Sequence, residues 1–212
     1  MGHHAIAKCL SQRQREILKH KNEIKNFTLH PLNDAKFVKT ALAKYEQNGF
    51  LQSWEIVEAH DSAAVLIYHM QKDVFVLVRQ FRPAVYVHNE EGMSIELCAG
   101  IVDKNMTLEQ IIQEEIEEEC GYSVPLKQIK KITSFYTSVG FAGSKQTLYY
   151  AAVNDAMKVS EGGGVDGEVI EVVELPVTEA EALMYDDTIV KTPGLLFAFA
   201  WFFMHKKHQG QH

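Results

Sequence analysis

The chain has 212 residues, 46% of them hydrophobic and 23% charged, which fits one globular domain with an extension and excludes a disordered or low-complexity chain. Its 21 Lys+Arg against 28 Asp+Glu leave a net charge of -7. That balance argues against a dedicated nucleic-acid or anionic-membrane binder, because either surface would repel the chain on average. Cys9, Cys98 and Cys120 form no CxxC pair and no disulfide framework, which reads as a reducing, cytoplasmic setting.

In chain order, Met1–Lys8 holds no apolar run of the secretory type. The basic residues Lys8, Arg13, Arg15, Lys19, Lys21 and Lys25, interrupted by Glu16 and Glu23, predict an N-terminal surface helix with a solvated charged face. Asn48-Gly49 between two β-prone runs, Ala41–Gln47 and Phe50–Glu58, predicts an antiparallel hairpin with a type I′ turn. Val65–Tyr68, Val74–Val78, Ile129–Thr133 and Thr147–Val153 read as strands. One long helix is predicted over Thr107–Cys120, closed by Gly121, and a second near Thr178–Tyr185. The apolar run Leu195–Met204 is about half the ~20 residues needed to span a bilayer and reads as a buried helix. Thr192 caps its start, Pro193 suits its first position, and Lys206, Lys207 and His208 suit its negative end. This mixture predicts an α+β domain, a mixed sheet sandwiched by helices, over 59–212, preceded by a helix and hairpin arm over 1–58. An isolated hairpin is marginal in water, so the arm needs a surface on its own chain or on a partner.

The long helix carries six glutamates between Glu109 and Glu119. At 100° per residue with Leu108 at zero, Ile111, Ile112 and Ile116 fall at roughly 300°, 40° and 80°. Glu115 and Glu119 fall at roughly 340° and 20°, inside that apolar stripe, whereas Glu117 at about 180° faces water. Two carboxylates at i and i+4 where Leu or Ile would bury better need a compensating cation. Oxygen donors with no His or Cys nearby select Mg²⁺ or Mn²⁺ over Zn²⁺. The alternative is a helix end that is simply wet. Arg82, followed by the strand-ending Pro83, offers a fork for phosphate oxygens at a site rim, and Arg79 on the same strand is a second candidate. The Gly162-Gly163-Gly164 stretch before Asp166 and Glu168 reads as a mobile loop that delivers two acids as a lid, or as a loop bearing ordinary surface acids. No HxxxH spacing, Cys/His pairing or GxSxG serine context points to zinc or covalent chemistry.

The segment Gly100 to Tyr122 resembles the Nudix box, G-x5-E-x7-R-E-U-x-E-E-x-G-U with U apolar. Gly100, Glu115, Ile116, Glu118, Glu119, Gly121 and Tyr122 match without a gap. Met106 stands where the pattern has Glu, with Asp103 as a nearby substitute, and Glu114 stands where it has Arg, which adds repulsion beside the other carboxylates. Further similarity to the nucleoside diphosphate sugar diphosphatases of the Nudix family runs through Gln80–Tyr86, Glu96–Gly100, Ser138–Ser144 and Gly162–Val173. The resemblance implies an α/β/α Nudix sandwich and Mg²⁺-dependent cleavage of a nucleoside diphosphate sugar, with UDP-glucose the preferred substrate and ADP-ribose the near alternative. It implies Glu115, Glu119, Glu168 and the carbonyl of Ala99 as metal ligands. Glu168, Asp166 and Glu118 would serve the catalytic step, one loop acid being the base. Arg82, Arg79, Ser138 and Gly140 would contact substrate, and Trp54 would stack on the nucleobase, reaching the site of a homodimer partner. Glu114 and Met106 also leave open a catalytically weak nucleotide-sugar binding module; a separate, blander alternative is a helix that binds divalent ions only structurally.

Overall fold

The computed structural model describes residues 9–20, 22–165 and 167–209. Lys8, Lys21 and Asp166 lie outside them, as do the side chains of Lys206, Lys207 and His208. Helix α1 (Gln12–Leu18) is capped by the Ser11 hydroxyl, which accepts from the Gln14 amide. Its charged face is solvated, as the basic run predicts, yet the helix is docked. Leu18 and Gln14 are buried, and Gln14 Nε2 donates to the Glu174 carbonyl at 3.0 Å.

Strands β1 (Val38–Gln47) and β2 (Phe50–Ala59) form the expected hairpin, with Gln47 opposite Phe50. Asn48 and Gly49 both have positive φ, 53° and 85°, as a type I′ turn requires and as Gly permits without strain. This ribbon is a sheet of its own.

Among the described residues the main sheet has seven strands: β3 (Ser62–His69), β4 (Val74–Phe81), β5 (Met93–Glu96), β6 (Cys98–Ile101), β7 (Lys130–Thr137), β8 (Ser144–Val153) and β9 (Ile170–Pro176). Along β5-β4-β3-β8-β7 only β3 and β8 run parallel, and β9 covers the other edge of β4. Strands β3 and β4 pair only at the hairpin end, Ile67 to His69 with Val74 to Val76. They then splay. Strand β6 pairs with β3 on one side of the opening and β5 with β4 on the other, so Glu96, Ala99 and Gly100 stand in the split.

Alternation along the strands makes two cores. Ala64, Leu66, Phe75, Leu77 and Leu148 pack against α1, α4 (Ala180–Tyr185) and α5 (Pro193–Gln209), where Leu195, Ala198, Phe199 and Phe202 supply the apolar side. On the other face Val65, Ile67, Val76, Val78 and Tyr149 pack against Ile112, Ile116 and Cys120 of α3 (Leu108–Cys120). The result is the expected α/β/α sandwich. Strands β5, β6 and β9 and the short helix α2 (Pro83–Asn89) are additions to the elements expected from sequence. Pro83 ends β4, as read, but it also opens α2 at a helix's first position, where a missing N–H costs nothing. Among the described residues no helix is long and apolar enough to cross a membrane.

Candidate active site

Helix α3 begins with a full capping box: Thr107 Oγ1 accepts from the Gln110 amide and Gln110 Oε1 accepts from the Thr107 amide. It ends at Gly121 in the left-handed conformation, φ 73°. Both ends are thus set locally, and the rotation of the helix follows from its isoleucines. Ile111, Ile112 and Ile116 are buried, Glu119 is 5% exposed, Glu115 is half-buried, and Glu117 is exposed.

Glu119 Oε2 accepts from the Ala99 amide at 3.1 Å, which fixes this carboxylate to strand β6. Glu115 lies against Gly100, where a Cβ would overlap its Oε1. Burial pushes both acids up, each to about 7. The charges of Glu118 and Glu168 add to the rise of Glu115, and those of Glu115 and Glu168 to that of Glu119. The Cys98 thiol beside Glu119 is itself pushed well up by burial. Cys98 and Cys120 are free, wholly buried thiols.

Glu168 sits in the loop before β9, its carboxylate accepting from the Val165 amide at 3.4 Å. Its charge adds to the rise of Glu115 and Glu119 and also acts on Arg82. The loop is less free than its glycines suggest. The Gly163 and Gly164 amides donate to the carbonyls of Glu119 and Glu118, at 2.9 and 3.0 Å. A Cβ on Gly162 would overlap the Glu119 carbonyl. Up to Gly164 the stretch is docked as a strap on the end of α3. At Gly162 the absent side chain permits this close backbone approach.

Arg82, at the junction of β4 and α2, is half-exposed. Its Nε and Nη2 donate to the two oxygens of Glu96 at 2.9 and 2.7 Å. Glu96 is largely buried, and it is a functional candidate that the sequence reading passed over. Its signal was a glutamate between Ile95 and Leu97 in an apolar strand, a buried charge that must have a partner. Arg79 does not join this group. Arg79, within β4, points into the α1 side and is 1% exposed. There its Nη1 donates to Glu171 at 2.6 Å and its Nε to the Leu18 carbonyl at 3.2 Å. It ties the N-terminal segment to the sheet and is corrected from substrate contact to structural anchor.

Trp54, Ser138 and Gly140 form a second group. The exposed Trp54 indole donates to the Gly140 carbonyl, and the Val57 amide donates to Phe141 at 2.8 Å. Ser138 is left-handed, φ 47°, and its carbonyl receives the Phe141, Ala142 and Gly143 amides. These residues join the arm to the β7–β8 loop.

The NUDIX domain matches residues 58–192. The uridine diphosphate glucose pyrophosphatase NUDT14 of Bos taurus is 37% identical over 188 residues, 75% of this chain and 85% of its own. The Mus musculus protein of the same name is 33% identical over 213 aligned positions, 87% and 90% of the two chains. A GDP-mannose pyrophosphatase of Klebsiella pneumoniae is 40% identical over 136 residues, 64% and 67% of the two chains. The chain belongs to the NUDIX domain family.

Proposed function

We propose that this chain hydrolyses the diphosphate bond of a nucleoside diphosphate sugar to a nucleoside monophosphate and a sugar 1-phosphate, with UDP-glucose the preferred substrate. The observation that carries the reading is the pair of desolvated carboxylates, Glu115 and Glu119, on one face of α3 beside Arg82 and Glu168. The NUDT14 proteins, similar along most of their length, support it.

The donor set fits a hard divalent ion, Mg²⁺ with Mn²⁺ as a substitute. Arg82 is paired with Glu96, and Glu115 and Glu119 are each held near 7 by burial and like charge. Among the described residues no three His, Cys, Asp or Glu side chains gather closely enough to hold a metal alone. Mg²⁺ needs no such cage, since it keeps waters and binds through one or two carboxylates plus substrate phosphates. Glu115 and Glu119 would hold it, with Glu168 and the Ala99 carbonyl as further donors. When bound, it supplies neutralisation of diphosphate charge and acidification of a coordinated water.

The chain's own residues do the rest. Arg82, kept in plane by Glu96, turns its remaining N–H groups to phosphate oxygens. Glu168 takes the proton of the attacking water, with Asp166 as the alternative base, and Glu118 supports the carboxylate group. Trp54 stacks on the nucleobase, with Ser138 and Gly140 shaping that end. The ribbon presents Ala43, Tyr45, Phe50, Trp54 and Ile56 on one face by its register, with Tyr45, Phe50 and Trp54 exposed. We assign that face to a second copy of the chain, making the arm over 1–58 the dimerisation element and 59–212 the hydrolase domain. The free buried thiols fit a cytoplasmic enzyme.

The test is hydrolysis coupled to a phosphatase that frees phosphate only from the monoester products, with UDP-glucose, ADP-ribose and GDP-mannose, with and without Mg²⁺. Metal-dependent release, fastest with UDP-glucose and reduced at least about 100-fold in Glu119→Gln, is the expected result. No release from any substrate, with ligand-induced thermal stabilisation intact, overturns it in favour of a binding module.

A further inference from the structure

Glu114 occupies the box position where the family pattern has Arg, and it faces a cation from elsewhere. Lys104, in the loop between β6 and α3, donates to Glu114 Oε2 at 2.8 Å. The loop leaves directly from the strand whose Gly100 lies against Glu115. It is tied at its start by the Val102 amide to the Asp61 carbonyl at 2.8 Å, and turned by the Met106 amide to the Lys104 carbonyl at 2.9 Å. Lys104 therefore ties the β6–α3 loop to helix α3 at Glu114, the residue before Glu115.

We infer that Lys104 and Glu114 are a charge-inverted replacement for the box arginine. The cation is delivered by the loop instead of the helix, and the pair clasps that loop onto α3 so that Glu115 and Glu119 keep their places. Lys104 also feels the charges of Glu118 and Glu115, so it is the cation on the helix side of the carboxylate group, as Arg82 with Glu96 is on the sheet side. Lys104 and Glu114 are positioning residues, not catalytic ones. The inference rests on the reading that Glu115 and Glu119 hold a divalent ion.

One consequence runs against intuition. Restoring the family-typical residue, Glu114→Arg, puts two cations against each other, opens the clasp and impairs the protein. Charge reversal separates this from a simple count of charges, for which every added negative charge near the site tightens metal binding. Mn²⁺ binding, followed by loss of the free-ion EPR signal on the full chain, would be compared for Glu114→Arg, Lys104→Glu and the double variant, with melting temperatures alongside. We expect both single reversals to weaken binding about three- to fivefold and the double reversal to return it to within about twofold, the signature of a coupled pair. Lys104→Arg should bind as the unaltered chain does. Tighter Mn²⁺ binding in Lys104→Glu, or additive losses in the double variant, would overturn the clasp. These readouts need no nucleotide sugar. A chain that binds Mn²⁺ with the expected coupling but hydrolyses nothing would sink the proposed activity and leave the clasp standing.

Discussion

In the metal-free protein Glu115 and Glu119 are each pushed up to about 7 from an ordinary 4.5, chiefly by burial. Between those values the folded chain holds protons that the unfolded chain has released. Their contribution to stability is therefore complete below about pH 4.5 and lost as the pH rises through 7. With chelator present, the melting temperature should fall between about pH 5 and pH 8, and excess Mg²⁺ at pH 8 should recover much of the loss; a flat chelated profile would contradict the assignment. The Arg82–Glu96 fork gives a second test. Glu96→Ala frees Arg82 to swing toward Glu119 and Glu168, so KM should rise about tenfold, and the Arg82→Ala/Glu96→Ala double variant should be no worse than Arg82→Ala alone. Additive effects would remove Glu96 from this role. At this scale the glutamates of α3 were legible because three isoleucines fix the helix's rotation. Arg79 was read as a substrate contact because its partners, Leu18 and Glu171, come from distant segments. The partners of Arg82 and Glu114 come from β5 and a loop, and no local pattern announces a contact made across the fold.

Each element that touches the site is held by a backbone device as well as by packing. The strap over Gly162–Gly164 joins the end of α3 to the segment bearing Glu168. Gly162→Ala meets both a left-handed φ of 74° and the Glu119 carbonyl, and should cost about 3 kcal/mol and most of the activity. Gly167→Ala has comparable strain at φ 90° but open space around it, and should cost about 1 kcal/mol. Urea denaturation of the two variants would decide it, equal losses arguing that the strap contributes nothing. Helix α3 and the β1–β2 ribbon could be bounded in the sequence because caps and turn residues are local. Strands β5 and β6 could not: each is four residues long, and they exist as strands only because β3 and β4 splay apart. Strand β9 was quoted for its similarity but not read as a strand, since its pairing partner lies some hundred residues earlier.

For the molecule as a whole, the two cores and the helical layers follow from alternation and amphipathic periodicity, which is why the sandwich was expected before it was seen. The placement of the arm is not of that kind, for its apolar face meets nothing in the single chain's two cores. Sedimentation velocity should show a dimer that Tyr45→Glu/Phe50→Glu converts to a folded monomer; an unaltered native monomer would remove the assignment of that face. The central pairing of β3 with β8 has a different consequence, because it joins Ser62 to Gln146, 84 positions apart. A two-residue turn closes the arm in microseconds, whereas a contact of such span must wait for most of the chain. During synthesis the arm is thus an early, sticky ribbon, and α3 with its acids finds its seat only after β8 has emerged. Nascent chains stopped before residue 144 should expose apolar surface to chaperones and bind no divalent ion, although every glutamate of α3 has already been made.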